Sequence, residues 1–225
     1  MEDNVIRNNQ VNLIGKIHST FEFSHEVYGE GFYNFDVEIS RLSDNSDIIP
    51  IMVSERLIDT TSDLRGKIVD VQGQFRSYNR QIEGKNRLVL TVFAREISIF
   101  EEEEIKRNPN YIYLDGYICK PPMYRTTPFG REITDILLAV NRPYNKSDYI
   151  PCICWGRNAR YAEKFNVGDR IKIWGRIQSR EYQKKLSETE SISKVAYEVS
   201  ISKIEVHEEE IKWVRGVMYK FMVVC

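Results

Sequence analysis

The 225-residue chain is poor in the residues that build metal and disulfide frameworks, with 4 cysteines and 3 histidines. Cys119, Cys152, Cys154 and Cys225 show no C-x-x-C spacing, and His18, His25 and His207 are isolated along the chain. Neither a zinc site nor a disulfide scaffold is expected, and no other metal or cofactor is implied. No apolar run approaches the roughly 18 residues that a membrane-crossing helix needs, so no membrane partner is expected. The opening residues MEDNVIRNNQ lack the apolar stretch of a secretory signal, which makes the cytoplasm the expected compartment. A phosphate-cradling glycine loop, a nucleophile–base–orienter set and clustered metal carboxylates are missing as well, so the chain does not read as an enzyme.

What is present fits an ordinary globular protein: 42% hydrophobic and 29% charged residues. The net charge of −1 conceals an asymmetry. Residues 1–105 carry 11 Lys+Arg against 19 Asp+Glu, a net of −8, and residues 106–225 carry 21 against 14, a net of +7. A polyanion partner for the second half follows as an expectation.

The organising feature is an internal repeat. A shift of 101 residues lays Leu13, Gly15 and Ile17 on Leu114, Gly116 and Ile118, then Gly29 on Gly130 and Arg41 on Arg142. Ser46-Asp47 falls on Ser147-Asp148, and Ile49-Pro50 on Ile150-Pro151. One residue further out of phase, Gly66, Val69, Val71 and Gly73 meet Gly168, Ile171, Ile173 and Gly175. Each repeat alternates at period two, as in Tyr33-Phe35-Val37-Ile39 and Ile171-Ile173-(Gly175)-Ile177, which predicts strands. Residues 158–166 read as a short helix between the third and fourth strands, ended by Gly168. The expected fold is all-β with one short helix per repeat: two tandem OB-folds, each a five-stranded Greek-key barrel. The boundaries are 10–100 and 111–207, with 101–110 as linker and 208–225 as a C-terminal extension. Cys152 and Cys154, two apart on a strand, share one face and suit a core.

Opposite the core residues of the second repeat's fourth strand lie Arg170, Lys172, Trp174, Arg176, Gln178, Arg180 and Tyr182, with no carboxylate among them. The third strand turns Tyr149, Pro151, Ile153 and Trp155 outward. Rings stack bases and cations track phosphates, so this face suits single-stranded nucleic acid. Trp174 fits a capped position equally well. The corresponding first-repeat positions are Ile68, Asp70, Gln72, Gln74, Arg76, Tyr78 and Arg80, with Ile48 and Ser54 where the third-strand rings would be. The first repeat is therefore expected to be mostly architectural.

Leu114-Asp115-Gly116-Tyr117-Ile118, Tyr124-Arg125-Thr126-Thr127-Pro128-Phe129-Gly130, Leu138-Ala139-Val140-Asn141-Arg142-Pro143-Tyr144 and Gly175-Arg176-Ile177-Gln178-Ser179-Arg180-Glu181-Tyr182 resemble the bacterial single-stranded DNA-binding protein family, from Tyr113 to about Val206. The resemblance implies base stacking on Tyr144, Tyr149, Trp155 and Tyr182, to which the strand face adds Trp174. Phosphate contacts are assigned to Arg125, Arg131, Arg142, Lys172, Arg176, Arg180, Lys184 and Lys185. The implied function is to coat and protect single-stranded DNA in replication, repair or recombination at the nucleoid, as a homodimer of four OB-folds. The family's Gly/Pro/Gln-rich tail with its acidic tip is not matched by EEEIKWVRGVMYKFMVVC, so recruitment of replication or repair proteins by that route is not implied. The competing readings are a protein–protein scaffold such as a primosome-like adaptor, and an RNA-binding OB protein.

Overall fold

The computed structural model describes residues 7–41, 43, 45–82, 84–100, 109–185 and 191–207. The first half contains β1 (Asn9–Ile17), β2 (Glu22–Val27), β3 (Glu30–Ser40), β4 (Ser46–Ser54), β5 (Ile68–Ile82) and β6 (Lys85–Phe100). The second contains β7 (Asn110–Ile118), β8 (Met123–Thr126), β9 (Glu132–Arg142), β10 (Lys146–Trp155), α1 (Arg157–Ala162), β11 (Arg170–Lys185) and β12 (Ser191–Val206). β1 pairs with both β3 and β5, while β4 meets β6 in parallel, so β1-β3-β4-β6-β5 closes on itself. β7-β9-β10-β12-β11 closes in the same order. Each barrel thus has the five expected strands. The short hairpin strands β2 and β8 are additional; their residues are largely exposed, which hides them from a search for core alternation.

Alternation fills the barrels as expected: Leu13, Val37, Ile51, Val71 and Phe75 are buried in one, and Leu114, Leu138, Ile150, Ile173 and Ile177 in the other. Cys152 and Cys154 join the second core, and burial raises the Cys154 thiol to about 12. Both long hairpins shift register beside a glycine, at Gln72/Gly73 and Trp174/Gly175. A Cβ at Gly175 would run into the Ser200 carbonyl oxygen, so the close strand crossing there requires glycine.

The expectation of a helix in each repeat is corrected for the first. Ala159 and Ala162 bury one face of α1, and the Thr134 hydroxyl donates to the Ala159 carbonyl at 2.8 Å. In the equivalent first-repeat segment, Asp59 accepts the Thr61 N–H at 2.9 Å and Asp63 accepts the Arg65 N–H at 3.1 Å. Such local side-chain bonds compete with helical ones, and the segment is a series of turns. The expected linker 101–110 shortens at its end, because Asn110 opens β7; residues 101–108 and the extension 208–225 lie outside the described residues.

The two barrels merge through their first strands. β1 and β7 run antiparallel with Asn9 opposite Leu114, Val11 opposite Ile112 and Leu13 opposite Asn110. That register maps onto itself under the 101-residue repeat, placing a pseudo-two-fold axis at the Val11–Ile112 pair. Asn9 accepts the Phe75 N–H and donates to its carbonyl, at 2.9 and 2.7 Å. Asn110 does the same with Ile177 at the same distances. Each barrel's long hairpin also reaches across to the other barrel. The Ser77 N–H donates to Asp148 and the Ser179 N–H to Asp47, both at 2.7 Å.

Candidate nucleic-acid interface

Trp155 ends β10, where Gly156 (φ 53°) turns the chain into α1. Its ring remains exposed, and its indole N–H donates to the Ser200 hydroxyl on β12 at 3.1 Å. Tyr149 lies further back on the same face, with its backbone N–H donating to the Ser77 hydroxyl of the first barrel at 2.7 Å. Tyr182 projects from the far part of β11, and the Arg180 guanidinium carbon lies 6.0 Å from its ring centre. Tyr144 stands at the tip of the β9–β10 hairpin at 95% exposure, with φ of 64° followed by 54° at Asn145. Two successive non-glycine residues in the left-handed region carry backbone strain, a pattern that concentrates at functional sites.

Trp174 is placed apart from these rings. It is half-buried, 5.2 Å from the Tyr113 ring and 4.4 Å from Lys203 Nζ, on the β7–β11–β12 stretch. Its contacts are those of a capped residue.

The expectation of a carboxylate-free basic face needs correction. β11 itself contributes none to the face, but its neighbours do, because cross-strand partners lie outside a single strand's alternation. Asp115 holds Arg170 in two hydrogen bonds of 2.9 Å. Glu198 lies 3.6 Å from Arg180. Arg176 reaches Asp47 of the first barrel at 3.1 Å, and Arg142 pairs with Asp148 at 3.4 Å. Both aspartates are buried, so Arg142 and Arg176 balance carboxylates at the junction of the barrels rather than standing free for phosphate. Burial, reinforced by Arg41, lowers the Arg176 pKa from its ordinary value. Arg125 is more accessible and pairs with Asp135 at 2.7 Å. Lys172 and Arg131 form no ion pair among the described residues. The side chains of Lys184 and Lys185 lie outside the described residues.

Sequence reasoning missed two further rings. Phe129 and Tyr28 stand at the tips of the β8–β9 and β2–β3 hairpins, at 92% and 102% exposure. They are equivalent in the repeat and each precedes a positive-φ glycine, Gly130 or Gly29. The Gly29–Gly130 match held that signal.

Two closed five-strand barrels sharing a pseudo-two-fold, with an outward ring-and-cation face on one, define a tandem OB-fold protein. Residues 109–206 match the Single-strand binding protein family, so the likeness to that family in sequence lies in the second barrel. Relatives include the single-stranded DNA-binding protein of Clostridium tetani, 36% identical over 83 residues, which are 34% of this chain and 57% of the relative. The corresponding protein 1 of Staphylococcus aureus is 35% identical over 81 residues, 33% of this chain and 48% of the relative. The chain thus spans about half the length of the curated relatives it matches. The solved single-stranded DNA binding protein from Thermus aquaticus superposes with a TM-score of 0.73 over 92% of this chain and 97% of its own, at 18% identity. That likeness extends the shared fold to the first barrel.

Proposed function

We propose that the chain binds single-stranded DNA and protects it in the cytoplasm during replication, repair or recombination. The observation that carries this reading is the outward placement of Tyr149, Trp155 and Tyr182 on one barrel, with Tyr144 displayed on a strained hairpin beside them. Bases stack on these rings, while Lys172, Arg131, Arg125 and Arg180 attract the backbone. Arg125 and Arg180 then exchange carboxylate partners for phosphates, which fits a site that binds without sequence preference. The names of the family relatives support the same ligand. The role is one of binding, with no chemical step assigned.

The test is a fluorescence titration of the full chain with oligo(dT), duplex DNA and poly(U) at several salt concentrations. Oligo(dT) is expected to bind well above duplex, with log affinity falling about 0.7 per neutralised phosphate for each unit of log salt. Trp155→Ala is expected to cost ~1–3 kcal/mol, roughly 5- to 150-fold in affinity, with folding intact. Equal affinity for duplex, or none for oligo(dT) at low salt, overturns the reading. Preference for poly(U) would make the ligand RNA.

We further propose that two chains associate to give four barrels. The facing edges of β1 and β7 are spent within the chain, so the second interface must use other surfaces. Light scattering showing only the 26.5 kDa monomer across micromolar concentrations would exclude it.

A further inference from the structure

The first barrel lacks rings at the positions equivalent to Tyr149 and Trp155, where Ile48 and Ser54 stand. It nevertheless has rings on its outward face, supplied by other strands. Phe93 on β6 pairs in register with Gln74 on β5, and Ser200 on β12 pairs with Arg176 on β11. The repeat lays Gln74 on Arg176, so Phe93 holds the place of Ser200, the residue to which the Trp155 indole donates. The second barrel thus sets a ring from β10 against a serine of β12. The first sets a ring on β6, with serine at the β4 position.

Phe93 is part of a built cluster. The Phe32 ring lies 5.9 Å away at 30°, and the exposed His25 ring stacks on Phe32 at 5.1 Å and 11°. The Arg76 and Arg95 guanidinium carbons lie 5.0 and 6.0 Å from the Phe93 centre. Gln74 accepts from both arginines, at 2.6 and 3.3 Å, which holds two like charges over one ring. Arg76 Nε is buried without an acceptor among the described residues. Burial lowers the Arg76 pKa, opposed by Asp148, with Arg142 and Arg95 adding to the lowering. Two crowded guanidiniums on an aromatic face favour an anion that brings a planar group with it. The nearby carboxylate of Glu30 is already engaged by the Ser54 hydroxyl and by Arg56 at 3.3 Å.

We propose that this cluster of His25, Phe32, Phe93, Arg76 and Arg95 is a second base-stacking platform, which takes single-stranded DNA leaving the second barrel. The inference rests on the single-stranded DNA reading of the second barrel. Proximity supports it: Arg76 interacts electrostatically with Asp148 and Arg142, and its neighbour Ser77 accepts the Tyr149 backbone N–H, so the strand that carries Arg76 lies against the second barrel. The carboxylates beside this patch, Glu30 and Glu55, are held by partners within the chain, Glu30 by Ser54 and Arg56 and Glu55 by the Gly31 N–H.

The test compares full-chain Phe93→Leu, Arg95→Gln and Trp155→Ala in titrations with short and long oligo(dT). Phe93→Leu keeps apolar bulk and removes the ring, and Arg95→Gln changes an exposed side chain, so folding is checked but not at stake in both. Phe93→Leu is expected to lower affinity for long oligo(dT) by roughly 5- to 150-fold and to shorten the footprint. Affinity for an oligonucleotide that covers only the second barrel should stay unchanged. Arg95→Gln should reduce the salt slope by about 0.7 if one phosphate is contacted. Unchanged footprint, affinity and salt slope in both first-barrel variants, with loss in Trp155→Ala, overturns the second platform and leaves the proposed function standing. Failure of the unsubstituted chain to bind oligo(dT) removes both.

Discussion

The two halves of the junction use the same buried carboxylate differently. Asp47 accepts from Arg41 at 2.8 and 2.5 Å, from the Ser179 N–H at 2.7 Å and from Arg176 at 3.1 Å, so both its oxygens are engaged. Asp148 accepts the Ser77 N–H through Oδ1, but its Oδ2 and the facing Arg142 Nε have no hydrogen-bond partner among the described residues. The cause lies in the repeat. At the position of Arg176 the first half has Gln74, and its own arginine, Arg76, turns to Gln74 and Phe93 instead of closing on Asp148. One half uses its arginine to complete a buried ion cluster, and the other leaves that cluster incomplete and mounts the arginine on a ring. Closing the ion cluster and lying over Phe93 are thus alternative uses of an arginine at this junction.

The sharpest way to break this comparison is Asp47→Ala, which strands Arg41 and Arg176. A loss of ~3–5 kcal/mol is expected in urea unfolding, with Asp148→Ala costing clearly less. Equal losses would mean that the hydrogen-bond asymmetry carries no energy. Next come Asn9→Ala and Asn110→Ala. Each strips a buried N–H and C=O of partners and should cost ~1–3 kcal/mol, equally in the two barrels because the geometry is the same. Unequal costs would show that symmetry of contact is not symmetry of stability.

The smallest effect concerns pH. Burial raises the Asp148 pKa, against the lowering by the Ser77 N–H, Arg142 and Arg76. A folded-state value above the unfolded one means that the folded protein holds the extra proton. The contribution is then fully present below the ordinary carboxylate value and is lost as pH rises through the folded-state value. Melting temperature followed against pH should show this loss in the parent chain and a flatter curve in Asp148→Asn. Parallel curves would show that Asp148 is not the titrating group.

Much of this molecule is written at period two and at a repeat of 101 residues. Core alternation located the barrels, their axis glycines and the outward direction of Tyr149, Trp155 and Tyr182. What eluded sequence reasoning was lateral. Asp115 and Glu198 neutralise β11 cations from neighbouring strands, and Asp47 does so from the other barrel. The Phe93 cluster escaped for the same reason, since equivalence along β4 and β10 reports a missing ring while a neighbouring strand supplies one. Asn9 and Asn110, also 101 residues apart, went unnoticed as strand clamps, because their partners lie 66 and 67 residues further on.

The symmetric β1–β7 register has a genetic consequence. In a ring of identical subunits every substitution is copied at each equivalent place, so a change useful at one position is imposed on all. Here both barrels are encoded once, in tandem, and each can drift alone while the shared seam keeps them aligned. Each chain consequently has two distinguishable ends, and its two barrels present their different surfaces in a fixed order.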